Sequence, residues 1–162
     1  MLTIDGLLFA LTIFAALGCG LMAGLFFAFS TAVMKALARL PAAAGVAAMQ
    51  SINVTILNPV FLATFLGTGV VCFILMIVSL LSWHAPGSVY LLIGSALYLV
   101  GTLIVTLVFN VPRNEALASV APDDPDGAER WADYLATWTA WNHVRAAAAL
   151  AAAASLTIAL HY

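Results

Sequence analysis

The sequence predicts an all-α membrane protein, an antiparallel four-helix transmembrane bundle, from three observations. Of 162 residues, 65% are hydrophobic and 7% are charged, whereas soluble proteins average roughly 25% charged residues. Stretches at about 6–31, 59–83 and 89–109 reach the roughly 20 apolar residues that cross a bilayer core. A fourth, at about 138–160, does so if it tolerates three polar side chains near its start. We therefore predict one four-helix domain over residues 1–162.

The first span belongs to a predicted long helix. No proline interrupts the chain before Pro41, so the helix can extend beyond the bilayer core into the cytoplasmic interface. Small residues recur within it at four-residue spacing, at Ala16, Gly20 and Gly24. This strip predicts close packing against another helix of the same bundle.

A short helix is predicted between the first and second spans. Residues 42–57 have helical character but are too few to cross a membrane, so they predict an interfacial helix. In "NPVF", Asn58 suits the cap of the second helix and Pro59 suits its first position. Pro86 and Gly87 then predict a tight turn between the second and third spans.

Two features mark the connection before the fourth span. Pro112 in "FNVPRN" predicts the end of the third helix, because an interior proline removes a backbone hydrogen bond. "APDDPDGAER", at 121–130, is the most polar stretch, and Asp126 with Glu129 three residues on resembles a capping box. From there the fourth helix is predicted to run to about Leu160, so it is also long.

The basic residues predict the orientation in the membrane. Lys35, Arg39, Arg113 and Arg130 lie in the connections after the first span and before the fourth. The positive-inside rule places these connections in the cytoplasm and both termini outside. A bacterial inner membrane is the expected location. A net charge of −2 without a basic run gives no footprint for nucleic acid.

No metal and no cofactor are predicted. Cys19 and Cys72 lie in apolar stretches without CxxC spacing, which favours packing over a dithiol or zinc site. No Glu-x-x-His pair is present for a di-iron site. The remaining alternative is haem with His143 as an axial ligand. His84 and His161 belong to the opposite membrane face, which disfavours a two-histidine haem site.

Polar side chains near the spans are predicted to gather in one layer, because antiparallel helices bring distant positions to the same membrane face. Polar groups buried in a membrane are costly and usually mark a site. The candidates for substrate binding are Asn53, Asn58, Asn110, Asn114, Trp138 and Trp141. The candidates for catalysis are Arg145, Asn142 and His143.

One face of the fourth helix carries rings, an amide and a cation. At about 100° per residue, one arc contains Trp131, Tyr134, Trp138, Trp141, Asn142 and Arg145. His143 points almost the opposite way. Such a face suits a flat aromatic ligand with a carbonyl or phenolate edge. Arg145 is expected to pair with Glu115, with Asp133 or with an oxyanion of the ligand.

Four segments together resemble the anthrone-oxygenase-like family of small integral membrane proteins: "GLFFAFSTAVMKALARLP", "AMQSINVTILNPVF", "FNVPRNEAL" and "WTAWNHVRA". The resemblance covers about residues 15–147. It implies a four-helix membrane fold and, in some fungal and bacterial relatives, oxidation of an anthrone to an anthraquinone by molecular oxygen. The positions that match the family motifs are Asn53, Asn58, Pro59, Asn110, Pro112, Asn114, Trp138, Trp141, Asn142 and Arg145.

Two functional hypotheses follow. In the first, the protein binds a flat lipophilic aromatic, anthrone-like or a quinone, and oxidises it with O2. Arg145 and the amides of Asn142 and Asn110 would hold the oxyanion, the tryptophans would stack on the rings, and His143 or a water would accept the proton. In the second, the protein is a non-catalytic subunit that packs against copies of itself or within a larger membrane complex. A third hypothesis is electron transfer by a bound haem or quinone.

Overall fold

The computed structural model describes residues 4–121 and 124–162, and all regular elements in these ranges are helical. Helix α1 is Ile4–Ala28, continued by a π-helical turn at Phe29–Val33 and by Met34–Leu37. Helix α2 is Ala42–Thr55 and α3 is Pro59–Leu81. Helix α4 comprises Ser88–Tyr98, π-helical Leu99–Ile104 and Thr106–Asn110, and Val111–Ala118. Helix α5 is Gly127–Ala159.

Three of these helices are long and apolar enough to cross a membrane: Asp5–Leu37, Pro59–Leu81 and Ser88–Ala118. Their outward faces expose large apolar side chains, among them Phe14 and Phe73. In water such faces would be unfavourable, whereas lipid tails solvate them. The prediction of a helical membrane protein is therefore confirmed.

The fourth predicted span lies within α5, which packs along both α1 and α4. Its membrane-length half consists largely of alanine and begins with polar residues, so it is less apolar than the other three. Glycines of α4 allow close approach to this half. A Cβ on Gly94 would lie 2.7 Å from Cγ of Leu156, and one on Gly101 would overlap Cβ of Ala148. The alanine-rich segment is thus a packing surface inside the bundle.

The predicted packing strip on α1 is wrong. Gly20 and Gly24 are exposed, and a Cβ added to either would meet no atom within 4 Å. The buried face of α1 instead carries Ala15, Cys19 and Phe26. Four-residue spacing identifies a face of a helix but not the direction in which that face points, because the neighbouring helices decide this.

Pro112 does not end the third helix, because α4 continues through it to Ala118. The proline occupies the first turn of the Val111–Ala118 segment, directly after the π-helical Thr106–Asn110. An N–H is not required in a first turn. The change of helical type before Pro112 therefore lets the helix extend beyond the predicted boundary at residue 109.

The cap predicted for the second span is confirmed. Asn58 Oδ1 accepts hydrogen bonds from the backbone N–H groups of Val60 and Phe61, at 3.1 and 3.0 Å. Its amide donates back to the Thr55 carbonyl at 3.1 Å. Asn58 thereby joins the end of α2 to the start of α3, as its Asn-Pro sequence predicts.

The capping box predicted for the fourth helix is wrong, although α5 begins where expected. The Asp126 side chain makes no capping hydrogen bond. Asp124 stabilises this corner instead, because its Oδ1 accepts from the Asp126 N–H at 2.9 Å and its Oδ2 pairs with Arg130 at 3.1 Å. The aspartate two residues earlier thus has the role that the pattern assigned to Asp126.

Buried apolar residues form two clusters. One lies along the spans and includes Cys19, Tyr98 and Leu156. The other joins the end of α1, helix α2, the end of α4 and the start of α5, and includes Met49 and Trp131. Gly45 of α2 fits against the Trp131 indole, where a Cβ would lie 2.8 Å from the ring. This second cluster positions α2 beside the polar half of α5.

We expect Gly101→Ala to destabilise the fold, because the added methyl group would overlap Ala148. The free energy of unfolding should fall by about 1–3 kcal/mol, as for other overpacked cores. Gly24→Ala is the matched control on an exposed helical glycine and should be neutral or slightly stabilising. Thermal unfolding in mild detergent, followed by circular dichroism, measures both, and equal stability of the two variants would contradict the packing described.

Candidate functional site

The predicted stripe on α5 faces the interior. Trp131, Tyr134, Trp138, Asn142 and Arg145 are all buried. The first three rings follow one another, with centroids 5.7 Å apart for the first pair and 6.0 Å apart for the second. The helical periodicity in the sequence is therefore confirmed, and the aromatic ladder leads to the guanidinium.

Arg145 is the central polar group of this interior. It is 5% exposed, and its guanidinium carbon lies 4.3 Å from the ring centroid of Phe26 and 5.2 Å from that of Trp138. Both distances are in the range of cation–π contacts. The expected ion pair with Glu115 or Asp133 is not formed. The single salt bridge among the described residues joins Arg130 to Asp124.

Two hydrogen bonds orient the Arg145 guanidinium. Nη1 donates to Thr106 Oγ1 at 3.2 Å, and Nη2 donates to Asn142 Oδ1 at 2.6 Å. The Asn142 amide nitrogen in turn donates to the Phe26 carbonyl at 2.7 Å and to Ser30 Oγ at 2.6 Å. Asn142 therefore links the cation to α1 and is occupied on both sides of its amide.

The partners of the stripe lie in π-helical segments. Ser30 is in Phe29–Val33, and Thr106 is in Thr106–Asn110. Asn110, in the second of these segments, donates from Nδ2 to the Trp138 carbonyl at 3.3 Å. A π-helical turn shifts the phase of a helix and is often found at functional sites. Here it turns polar side chains of two largely apolar helices towards α5.

A cavity of about 500 Å³ adjoins this network. Its volume is in the usual range of small-molecule sites, roughly 300–1,000 Å³. Most of the wall is apolar, and it is built from α1, α2, the linker after α2, the first turn of α3, α4 and α5. The polar residues on the wall are Gln50, Asn53, Thr106, Asn114, Glu115 and Arg145, and the aromatic ones are Phe26, Phe29, Phe61 and Trp138.

Three wall residues carry buried N–H groups without an acceptor. In the described ranges, Nδ2 of Asn53, Nε1 of Trp138 and Nε of Arg145 have no hydrogen-bond partner. A buried donor without an acceptor costs roughly 1–3 kcal/mol. The three donors belong to residues of α2 and α5 that line one cavity, so a ligand with acceptor oxygens would suit this wall.

Asn114 is held by the aromatic ladder. The Tyr134 hydroxyl donates to Asn114 Oδ1 at 2.9 Å. Burial raises the pKa of the Tyr134 phenol above its ordinary value, so the hydroxyl stays protonated and available as a donor. Gln50 is fixed similarly, since its amide donates to the carbonyls of Leu117 and Val120 at 2.9 and 3.1 Å. These contacts tie the cavity rim formed by α2 and α4 together.

The structure places the predicted site residues in different surroundings. Asn53, Asn114, Trp138 and Arg145 line the cavity. Asn110 and Asn142 are buried behind the wall in the network described above. Asn58 is exposed and caps α3. Trp141 stacks on Phe109, with centroids 3.6 Å apart and planes inclined by 8°. His143 is exposed on the outer face of α5 and is not on the cavity wall.

Sequence reasoning missed several contributors. Phe26 and Ser30 follow a helical spacing in α1, but nothing distinguishes them from other residues of an apolar run. The sequence predicts Glu115 only as a partner of Arg145, yet it lies on the cavity wall and forms no ion pair in the described ranges. The sequence could have indicated Glu115 as a site residue, because it directly follows the motif residue Asn114.

No group of three or more His, Cys, Asp or Glu side chains that could hold a metal ion occurs in 4–121 and 124–162. Cys19 and Cys72 are free thiols buried among the spans. The chemistry available at the cavity is therefore that of a cation, amides, an indole N–H and one carboxylate.

Comparison with known proteins supplies the family. Searches of curated proteins and of solved structures gave no match to this chain. The family model described as anthrone oxygenase matches residues 59–155. The matched range starts at the first residue of α3 and includes most of α5, with Trp138, Asn142 and Arg145. The chain belongs to the anthrone oxygenase family.

Proposed function

We propose that this protein binds a flat, lipophilic, oxygenated aromatic molecule of the anthrone or quinone type in the 500 Å³ cavity and oxidises an anthrone there with O2. The observation that carries the proposal is the wall itself. It is mainly apolar and carries ring faces, together with three buried N–H donors that have no acceptor in the part of the chain described. A carbonyl or phenolate oxygen would supply the acceptor, and the rings would stack on Phe29 or Trp138.

The guanidinium of Arg145 would make the site bind the anionic form of the ligand more strongly than the neutral form. A cation buried without a carboxylate partner is expensive, and its two hydrogen bonds and ring contacts compensate only partly. An oxyanion beside it relieves this cost. Because the charge of the ligand develops during the reaction, the site would bind the deprotonated anthrone more strongly than the neutral one.

The proposed reaction needs no group beyond the substrate, oxygen and the side chains. The methylene carbon opposite the carbonyl loses a proton, and the electron pair delocalises onto the carbonyl oxygen beside Arg145. The carbanion then reduces O2 and forms a C–O bond to it, and the peroxide takes up a proton. Loss of water gives the second carbonyl. One anthrone and one O2 thus yield one anthraquinone and one water.

The catalytic assignments change in detail from those made on the sequence. Arg145 keeps its proposed role at the oxyanion. Asn142 acts as a positioning residue, because both sides of its amide are bonded to Arg145 and to α1. Asn110 lies behind the wall and donates to a backbone carbonyl. Asn53 takes the place of these two amides as the proposed donor to the ligand, since it lies on the cavity wall and its Nδ2 has no acceptor in the described ranges.

We further propose that α1, α3, α4 and the second half of α5 form an antiparallel four-helix transmembrane bundle in a bacterial inner membrane. Gly94 contacts Leu156 while Thr106 contacts Arg145, so positions that rise along α4 fall along α5. The basic connections would face the cytoplasm and both termini the outside. The exposed Val54 and Leu57, at 76% and 62%, border the cavity and would admit a ligand from the lipid.

A second candidate function is that of a non-catalytic membrane subunit. The uncovered Gly20 and Gly24 on α1 favour it, because an exposed strip without side chains allows a helix of another copy or of a larger complex to approach closely. A haem or quinone electron-transfer role at His143 has less support, since this side chain is exposed outside the cavity. Protein purified in mild detergent would show a Soret band in the haem case.

We expect Arg145→Met to abolish oxidation without destabilising the fold. The oxyanion would lose its cation, so kcat for anthrone should fall roughly 10²–10³-fold. The free energy of unfolding should stay within about 1 kcal/mol of the wild type or exceed it, because methionine removes a buried charge. Anthraquinone formation, corrected for spontaneous oxidation, measures the first quantity, and thermal unfolding in detergent measures the second.

Arg113→Met is the matched control, because in the described part of the chain Arg113 donates only to the Phe109 carbonyl on its own helix, and it is not on the cavity wall. It should oxidise anthrone at the wild-type rate. Wild-type protein that neither oxidises anthrone nor binds anthraquinone would contradict the proposed function. A large loss of stability in Arg145→Met would instead identify the guanidinium as a structural element.

The four-span arrangement predicts the location of the C-terminus. Alkaline phosphatase fused after Tyr162 should be active, because the enzyme folds only outside the cytoplasm, whereas a fusion after Ala121 should be inactive. Enzyme assays on whole cells measure both. An inactive fusion at Tyr162 with an inactive one at Ala121 would show that α5 does not cross the membrane.

A further inference from the structure

The proposed oxidation requires a proton acceptor, and the sequence suggested His143. The structure has this side chain exposed on the outer face of α5, away from the cavity wall. The amides of Gln50, Asn53 and Asn114 on the wall cannot accept a proton at neutral pH. Tyr134 is buried with its phenol protonated and bonded to Asn114. None of these side chains can therefore act as the proton acceptor.

Glu115 is, in the described ranges, the one carboxylate on the cavity wall. It forms no ion pair with Arg145 or with any other described cation. Glu115 is exposed. A proton that its carboxylate accepts can therefore pass to water at the membrane surface, which regenerates the carboxylate. A free carboxylate at the rim and a guanidinium deeper in the same cavity are two of the groups that the reaction needs.

The position of Glu115 along α4 fits a ligand between it and Arg145. Thr106 accepts a hydrogen bond from Arg145, and Glu115 is nine residues further along the same continuous helix. Residues 106–110 are π-helical and the α-helix resumes at Val111, so Glu115 lies about two helical turns further towards the end of α4. In an anthrone the acidic methylene carbon and the carbonyl oxygen lie on opposite sides of the central ring. A ligand bound between the exposed Glu115 and the buried Arg145 would present one of these two positions to each residue.

We propose that Glu115 is the general base of this site: its carboxylate removes the methylene proton of the bound anthrone while Arg145 holds the oxygen on which the negative charge develops. The C–H bond breaks, the proton moves to a Glu115 carboxylate oxygen, and the electron pair moves into the ring system. The proton later leaves to water. This inference rests on the proposed oxidation and assigns its first step.

Glu115→Gln tests the proposal in the full-length protein in detergent, with anthrone as substrate. Loss of a positioned base should lower kcat roughly 10²–10⁴-fold. Binding of anthraquinone, which has no methylene proton, should stay at the wild-type level, measured by quenching of tryptophan fluorescence.

Two further measurements separate a base from a structural residue. Anthrone deuterated at the methylene carbon should react more slowly than the unlabelled substrate, and by a larger factor in Glu115→Gln, since proton removal becomes slower. Glu115→Asp keeps a carboxylate and should recover part of the rate. Glu129→Gln, at an exposed carboxylate near the start of α5 and outside the cavity, is the matched control and should have the wild-type rate.

The outcomes distinguish this inference from the proposed function. If the wild type oxidises anthrone and Glu115→Gln does so equally well, the assignment of the base is overturned and the oxidation stands. If Glu115→Gln loses anthraquinone binding together with turnover, Glu115 shapes the cavity and is not the base. If the wild type neither binds anthraquinone nor oxidises anthrone, the proposed function itself is overturned.

Discussion

The burial of one guanidinium without an opposite charge is the constraint on which the rest of this interior depends. Arg145 lies among apolar helices, where a cation is tolerated only if its surroundings replace water. The surroundings are specific: two ring faces, a threonine hydroxyl and an asparagine oxygen. They come from three helices: Phe26 from α1, Thr106 from α4, and Trp138 and Asn142 from α5 itself. The contacts of this one group therefore connect α1, α4 and α5.

The same constraint accounts for two of the three π-helical segments in the described ranges. In regular α-helices of this length, apolar faces towards lipid and small residues towards neighbours would suffice. The π-helical turns at Phe29–Val33 and Thr106–Asn110 instead direct Ser30, Thr106 and Asn110 towards α5. These two segments depart from regular α-helical geometry, and in return their polar side chains form hydrogen bonds with α5. Such bonds matter in a membrane interior, where water cannot supply them. The result is a cavity wall with fixed hydrogen-bond donors. Among the described residues, Asn53 Nδ2, Trp138 Nε1 and Arg145 Nε have no acceptor.

The family match and the cavity do not cover the same residues. The matched range, 59–155, contains Arg145 and Trp138, whereas Phe26, Phe29 and Asn53 on the cavity wall precede it. The cation and the aromatic ladder therefore lie within the range that matches the family model. The wall opposite them comes from α1 and α2. This division places the buried guanidinium in one part and much of the shape of the cavity in the other.

The sequence by itself determined the helical membrane character, three of the membrane-spanning helices and the buried stripe on α5, because hydrophobicity and a period of 3.6 residues are local properties. It also determined the Asn58 cap, which depends on neighbours two and three residues away. Only the tertiary structure decided the outward direction of Gly20 and Gly24, the continuation of α4 through Pro112, and the stacking of Trp141 on Phe109 away from the cavity. It likewise separated Glu115, on the cavity wall, from His143, outside it. These outcomes depend on the phase of a helix after a π-helical turn and on which neighbour packs against each face, and neither is encoded within a few residues of the position concerned.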